Sequence, residues 1–222
     1  MPGRYVIFDL DGTLIDSSAG VVQATNYALG MLGLPTRDPA EIVTYIGYPL
    51  DVMFADFTDA PYPELARHFQ VKARETVVES TTALPFAHET IVDLHRTGYR
   101  LAIATTKIRI HIDLILAKCG WRQYFAATVG GDEVDAVKPA PDAFTLALQR
   151  LGANARDTVV VGDTVNDVLA ATAAGLPVVA VKSPHGHNGH LQQAAATYYL
   201  ESLSALPTLL ADHFAHGREH AR

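Results

Sequence analysis

Short apolar runs alternate with segments of helical periodicity, and this alternation restricts the possible folds more than any other feature of the chain. Apolar residues recur at helical spacing over residues 89–96, 112–119 and 144–151. The apolar runs are short enough to be strands buried on both faces, and they occupy residues 5–8, 101–104, 126–129, 158–161 and 177–181. Such alternation predicts an α/β fold with a doubly wound, mostly parallel, Rossmann-like sheet.

The interval between the first two predicted strands is too long for a single crossover connection. It lacks clear strand patterns and instead carries apolar stripes at helical spacing, such as Leu65, Phe69, Ala73 and Val77. We therefore predict a core formed by residues 1–16 and 83–222, with a helical domain of residues 17–82 inserted after the first strand.

The composition is that of a folded protein, since 49% of the 222 residues are hydrophobic and 18% are charged. The formal net charge of −7 argues against nucleic acid as a partner, because phosphates are met by basic surface. The single Cys119 and the lack of a signal-peptide or membrane-spanning pattern favour a cytoplasmic protein with no membrane partner. We expect a monomer or a homodimer.

Polar side chains follow the apolar runs where the predicted strands end; they are Asp9, Asp11, Thr105, Lys138, Asp163 and Asp167. The carboxyl ends of parallel strands share one edge of a sheet, so these side chains are expected to converge. Four carboxylates repel one another unless a cation lies among them, and oxygen ligands favour Mg²⁺. A cation, a lysine and hydroxyls around an aspartate suit a phosphoryl group, which the aspartate can accept as a nucleophile.

The same residues resemble the four sequence motifs of the haloacid dehalogenase superfamily, in the same order and with matching spacing. The motifs here are Asp9-Leu-Asp11-Gly-Thr13, Thr105, Lys138-Pro-x-Pro141 and Gly162-Asp163-Thr-x-x-Asp167. The helical segment after the first motif resembles the cap that closes over the site in that superfamily. The resemblance thus covers nearly the whole chain, and it implies a Rossmann-like catalytic core with a helical cap.

The resemblance implies a role for each motif residue near the substrate. Asp9 would be the nucleophile, and Asp11 would be the general acid and base. Thr105 and Lys138 would hold the phosphoryl group, with Lys138 also neutralising Asp9. Thr106, beside Thr105, is expected either to contact the phosphate as well or to serve the structure of the loop.

The resemblance also implies a Mg²⁺ cofactor and a set of ligands for it. Asp9 and Asp163 would bind the ion through their carboxylates, and Asp11 through its backbone carbonyl. Asp167 would support the ion directly or through water. These expectations describe a phosphomonoester hydrolase that forms an aspartyl-phosphate on Asp9.

Within the superfamily, the chain resembles the phosphoglycolate phosphatase branch. Asp16-Ser-Ser-Ala-Gly20 and Tyr45-Ile-Gly47 match that branch, while Thr106 stands where it usually has asparagine. We predict a hydrolase of a small phosphorylated metabolite. The alternatives are a pyrophosphatase or broad sugar-phosphate phosphatase, then a phosphomutase, and, from another class, a non-catalytic regulatory module.

The cap is expected to select the substrate, because the core is expected to contact only the phosphate group. Residues 17–82 contain four lysines and arginines against eight acidic residues, which is a weak attraction for a second anionic group. A substrate carboxylate would need one of those cations or a backbone donor near Gly47, whereas a neutral sugar phosphate would not. Gly47, which equally suits a turn, and Lys107 are the candidate substrate contacts outside the motifs.

Several other polar residues have structural interpretations. We expect Asp16 and Ser17 to cap the helix that follows them. Asp132 and Asp142 suit a turn and a helix start, or else a part in catalysis. Residues 213–222 suit an exposed or frayed end. Three histidines allow a metal site but favour a surface loop, and these are His185, His187 and His190.

Overall fold

The computed structural model describes residues 4–185 and 188–216. Within them the strands are β1 (Tyr5–Phe8), β2 (Ile15–Asp16), β3 (Thr82–Ala83), β4 (Arg100–Ala104), β5 (Phe125–Val129), β6 (Thr158–Gly162), β7 (Val178–Val181) and β8 (Tyr198–Leu200). The α-helices are α1 (Ser18–Met31), α2 (Pro39–Val43), α3 (Leu50–Phe57), α4 (Tyr62–Ser80), α5 (Ala87–Arg96), α6 (Arg109–Lys118), α7 (Asp142–Leu151), α8 (Val165–Ala173), α9 (Asn188–Gln193) and α10 (Leu206–His216).

Six strands form a parallel sheet in the order β5-β4-β1-β6-β7-β8. Apolar side chains of α5, α6 and α10 pack on one face, and those of α7 and α8 pack on the other. The central strands are therefore buried on both sides, which explains why they appear in the sequence as continuous apolar runs. The predicted α/β fold with a parallel, doubly wound sheet is confirmed.

A helical insertion formed by α1–α4 lies between β2 and β3. It has a hydrophobic cluster of its own, built around residues such as Phe54, Leu65 and Phe69. The chain enters and leaves the insertion through two short strands that pair with each other. Ile15–Asp16 runs antiparallel to Thr82–Ala83. This two-stranded ribbon joins the insertion to the sheet domain directly after the loop that carries Asp9 and Asp11.

Two features near the C-terminal end of the described residues differ from the sequence predictions. The edge strand β8 was not predicted, because its three residues are only half-buried and follow no long apolar run. The expected frayed end is wrong for residues 213–216, which belong to α10, where Phe214 is buried; residues 217–222 lie outside the described residues. No helix in the described part of the chain is long and apolar enough to cross a membrane.

Candidate active site

The loops at the carboxyl ends of β1, β4 and β6 bring the predicted motif residues to one edge of the sheet. Asp9 follows β1, Thr105 follows β4, and Asp163 follows β6. The side chains of all three are buried, as is that of Lys138, which is 2% exposed. Four charged or polar groups are thus withdrawn from water at one place, which is costly unless they satisfy one another or a ligand.

Lys138 is the centre of the charge network. Its Nζ lies 2.5 Å from Asp9 Oδ1 and 2.6 Å from Asp167 Oδ1. Burial lowers the pKa of the Lys138 ammonium, but Asp167 and Asp9 outweigh burial, so that pKa stands above its ordinary value. Burial also raises the pKa of the Asp9 carboxyl, although Lys138 opposes the shift. Lys138 therefore stays charged and holds the nucleophile candidate in place.

Three buried carboxylates form a group suited to a metal ion. One oxygen each of Asp9, Asp163 and Asp167 lies within 4.8 Å of the others. Asp163 Oδ1 accepts a hydrogen bond from Thr13 Oγ1 at 2.8 Å, whereas its Oδ2 is buried without a partner among the described residues. The pKa of the Asp163 carboxyl is raised mainly by burial, and the negative charges of Asp167 and Asp9 add to the shift. Crowded carboxylates with an unpartnered oxygen fit a hard divalent cation.

Asp167 is held by the start of α8. The backbone N–H and the hydroxyl of Thr164 both donate to Asp167 Oδ2, at 3.0 and 2.7 Å. Its other oxygen accepts from Lys138. Both oxygens are thus engaged, so Asp167 orients Lys138 as well as adding charge to the metal group. The capping function of Asp167 was not part of the sequence prediction.

Asp11 lies outside the three-carboxylate group. Ser17 Oγ donates to Asp11 Oδ1, and Lys107 Nζ lies 3.1 Å from Oδ2. The expectation that Ser17 caps α1 is therefore wrong, because its hydroxyl serves Asp11 and makes no capping bond. Asp16 does accept from the backbone of Ser18 at 2.8 Å, as expected of a residue at a helix start.

The two threonines after β4 have different environments. Thr105 is buried, and its Oγ1 accepts from the backbone N–H of Lys107 at 3.3 Å. Thr106 is half-buried and lines a cavity between the helical insertion and the sheet domain. Their roles as phosphate contacts remain predictions.

Gly12 and Gly47 have backbone conformations and surroundings that exclude a side chain. Gly12 has a φ of +79°, and an added Cβ would lie 2.1 Å from Asp163 Oδ2. Gly47 has a φ of +87°, and an added Cβ would lie 2.8 Å from Thr164 Cγ2. Glycine thus allows the turn predicted at position 47, and it also lets the insertion approach the loop that holds Asp167. A substrate contact by Gly47 remains a prediction.

Other predicted polar residues have structural partners. Asp132 Oδ1 accepts from the backbone of Arg109 at 2.8 Å, and Asp142 Oδ2 accepts from Ala136 N–H at 3.2 Å. Asp142 is also the first residue of α7. Both residues therefore fit the turn and helix-start interpretation.

The histidine-rich segment is more structured than the expected loop. His190 lies on α9, and His185 Nε2 lies 3.7 Å from Asp16 Oδ1, beside the ribbon. His187 lies outside the described residues. The described histidines form no metal-binding group with one another or with Cys, Asp or Glu, since the one group found in residues 4–185 and 188–216 is the three-aspartate group.

A cavity of about 110 Å³ lies next to Asp11, beneath the helical insertion. Its wall includes Gln70 and His111, which are not among the predicted site residues. The one signal that the sequence offers for His111 is its position directly before the apolar helical stripe of residues 112–119, at the start of the helix that follows Thr105. Gln70 carries no comparable signal, because its position depends on how α4 packs over the sheet domain.

Comparison with known proteins agrees with this geometry. The family model described as Haloacid dehalogenase-like hydrolase matches residues 6–181. A Dickeya dadantii protein named Probable phosphatase IndB is 38% identical over 79% of this chain and 80% of its own length. A phosphoglycolate phosphatase from Cupriavidus necator is 33% identical over 95% of this chain and 94% of its own.

Solved structures share the fold. A protein described as a predicted phosphoglycolate phosphatase from Haemophilus somnus has a TM-score of 0.83 and 26% identity, covering 93% of this chain and 97% of its own. A hydrolase from Pseudomonas syringae has a TM-score of 0.80 and 28% identity, covering 95% of this chain and 99% of its own. This chain belongs to the haloacid dehalogenase-like hydrolase family.

Proposed function

We propose that the chain is a Mg²⁺-dependent phosphatase that hydrolyses small phosphomonoesters through an aspartyl-phosphate on Asp9. The observation that carries this proposal is the contact of Lys138 with Asp9 inside the group of three buried carboxylates. A cation there and a lysine together suit the charge of a phosphoryl group bound next to a carboxylate nucleophile.

Asp9 is the nucleophile in this mechanism. One of its oxygens attacks phosphorus, an oxygen–phosphorus bond forms, and the bond from phosphorus to the substrate's alcohol oxygen breaks. Lys138, 2.5 Å from Asp9, reduces the negative charge that the phosphate meets on approach. Thr105, buried at the end of the neighbouring strand, offers its hydroxyl to a phosphoryl oxygen.

Asp11 transfers the protons. It gives a proton to the departing alcohol oxygen and then takes one from the water that attacks the aspartyl-phosphate. That attack releases inorganic phosphate and restores Asp9. Ser17 and Lys107 fix the carboxylate of Asp11 on the side of the cavity, so the alcohol part of the substrate would occupy that cavity.

The residues that would hold Mg²⁺ are Asp9 and Asp163, with Asp167 and the backbone carbonyl of Asp11 in support. The ion would supply positive charge to the phosphoryl group. The unpartnered Oδ2 of Asp163 is the observation that best fits such an ion.

The names of the relatives make 2-phosphoglycolate the first natural substrate to test. The test of the reaction itself uses 4-nitrophenyl phosphate with and without Mg²⁺. We expect Mg²⁺-dependent release of nitrophenol, and an acid-quenched enzyme that carries the mass of one phosphoryl group.

Asp9→Asn should abolish both signals, while Asp59→Asn, at an exposed position of the insertion, should leave them unchanged. Activity that needs no divalent cation, or full activity in Asp9→Asn, would contradict the proposal.

A further inference from the structure

Among the described residues, every positive charge in the wall of the cavity beside Asp11 is paired with a carboxylate. The charged side chains that line it are Asp11 and Lys107, and these two pair with each other at 3.1 Å. Most of the remaining wall is apolar or aromatic, with Val21, Met53 and Phe69 among its members. A substrate carboxylate entering this space would lose its hydration and would have to compete with Asp11 for the ammonium of Lys107, so its burial there is unfavourable.

The cations of the insertion are engaged elsewhere or lie outside the cavity wall. Arg37 pairs with Glu41 and donates to the carbonyl of Phe57, and Lys72 lies 2.8 Å from Glu75. Arg74 is exposed on α4 and is not part of the wall. Arg67 is also exposed and outside the wall, and its Nη2 lies 2.8 Å from His68 Nε2. The charge of Arg74 helps to lower the pKa of His111 in the wall, so Arg74 is the basic residue of the insertion to test as a partner for a substrate carboxylate.

Two polar atoms in the wall lack hydrogen-bond partners among the described residues. They are Nε2 of His111, whose side chain is buried, and Oε1 of Gln70. A buried polar atom without a partner costs free energy, and native proteins rarely leave one without a reason. A substrate hydroxyl would donate a hydrogen bond to Gln70 Oε1 or form one with His111 Nε2, and so would satisfy these atoms.

His111 is uncharged at neutral pH. Burial lowers the pKa of its imidazole to about 4, and the neighbouring Lys107 adds to the shift. A neutral imidazole can exchange a hydrogen bond with a hydroxyl but cannot neutralise a carboxylate. The cavity volume of about 110 Å³ is on the scale of cavities that admit a benzene-sized molecule, so a small alcohol fits inside it.

We propose that His111 and Gln70 select phosphomonoesters of small, uncharged, hydroxyl-bearing alcohols over those of carboxylic acids. This inference rests on the proposed phosphatase function. It deepens that function by naming the substrate class, and it goes against the first substrate that the relatives' names suggest.

Two matched pairs of substrates test the selection. 2-Hydroxyethyl phosphate and 2-phosphoglycolate differ in a hydroxymethyl group against a carboxylate, and glycerol 3-phosphate and 3-phosphoglycerate differ in the same way. We expect kcat/KM to be at least about tenfold higher for the neutral member of each pair, because a carboxylate would lose its hydration and compete with Asp11 for Lys107. A higher value for the carboxylate members would overturn the proposal.

Variants of the two wall residues test how the selection arises. His111→Phe and Gln70→Leu keep the approximate shape of each side chain and remove its polar atoms. Each should lower kcat/KM for the neutral members, mainly through a higher KM. Each should therefore reduce the ratio of kcat/KM for the neutral member to kcat/KM for the carboxylate member of each pair. His95→Phe on α5 and Gln149→Leu on α7, both exposed, are the matched controls and should keep the wild-type ratios.

Two results separate the failure of this inference from the failure of the proposed function. If wild-type protein hydrolyses 4-nitrophenyl phosphate with Mg²⁺ but prefers 2-phosphoglycolate, and Arg74→Gln removes that preference, the inference alone is wrong. If wild type and Asp9→Asn behave alike on 4-nitrophenyl phosphate, the phosphatase proposal fails and the inference fails with it. Unchanged ratios in both His111→Phe and Gln70→Leu would also overturn the assignment of these residues.

Discussion

At the scale of single residues, Lys138 shows how the site balances its own charges. Its ammonium contacts two buried carboxylates, Asp9 and Asp167, and is itself 2% exposed. Burying one of these charges alone would be strongly unfavourable, whereas burying them together lets attraction offset lost hydration. The arrangement is therefore sensitive to the loss of one partner.

Lys138→Met should destabilise the protein markedly in the absence of divalent cations. Asp9 and Asp167 would then face each other without a positive charge, and removing one partner of a buried pair costs about 3–5 kcal/mol. Urea unfolding in the presence of a chelator measures the free energy of unfolding. Lys182→Met is the control, because Lys182 pairs with Glu201 at an exposed position and its loss should change little. Equal stability of the two variants would contradict this account of Lys138.

His111 should contribute to a loss of stability in acid. Burial lowers the pKa of His111 to about 4 in the folded chain, whereas an unfolded chain keeps the ordinary value of about 6.5. Between those values the unfolded state binds more protons, so the contribution is present above pH 6.5 and is lost as pH falls toward 4.

Urea unfolding at pH 7 and at pH 4.5 tests this, with His111→Phe compared against wild type. Wild type should lose more stability than the variant on acidification, by on the order of 2 kcal/mol. His95→Phe, at an exposed position, should follow wild type. A parallel decline in His111→Phe and wild type would show that the imidazole is not buried in its neutral form.

At the scale of elements, the sequence predicts the strands that are buried on both faces and little about the others. The runs that became β1, β4 and β6 are continuous because both faces meet helices. The ribbon of β2 and β3 has two residues on each side, too few for any periodic pattern. The motif aspartates were predictable because each follows a recognisable strand. The positions of Gln70 and His111 were not, because they depend on helix packing across the cavity.

Gly47→Ala should weaken the fit of the insertion against the sheet domain. A methyl group there would meet Thr164 Cγ2 at 2.8 Å, and Thr164 cannot easily move because it is bonded to Asp167 at the start of α8. The positive φ adds strain of about 1 kcal/mol or more. We expect kcat/KM for 4-nitrophenyl phosphate to fall about tenfold, which corresponds to about 1.4 kcal/mol in the barrier.

Gly30→Ala is the matched control for that substitution. Gly30 lies on α1, and an added Cβ there would meet nothing within 4 Å. Alanine in a helix is favoured over glycine by roughly 0.5–1 kcal/mol, so this variant should be as active as wild type and slightly more stable. If Gly47→Ala proved as active and as stable as Gly30→Ala, close contact at position 47 would be unimportant for the reaction.

At the scale of the whole molecule, the site is assembled from segments that are distant in the sequence. Asp9, Lys138 and Asp163 come from three separate loops, and the parallel sheet alone brings them together. The helical insertion then covers the cavity from the other side and keeps a hydrophobic cluster of its own. We propose that residues 17–82 form a cap domain joined through the ribbon of β2 and β3. On this division the core supplies the phosphate chemistry, and the cap, together with α6, supplies the contacts to the alcohol.

Mg²⁺ should stabilise the whole chain, because the proposed metal site exists only in the folded protein. At a free Mg²⁺ concentration 100 times its Kd, the free energy of unfolding should rise by about 2.7 kcal/mol. Asp163→Asn keeps an oxygen for Thr13 but removes one of three crowded, buried carboxylates. Because burial and the neighbouring aspartates raise the pKa of Asp163, the variant should be at least as stable as wild type in a chelator and less stable than wild type in Mg²⁺. Thermal unfolding of both proteins, with chelator and with increasing Mg²⁺, would show this reversal in their order of stability. If Mg²⁺ raised the stability of both proteins equally, Asp163 would not be a ligand of the metal.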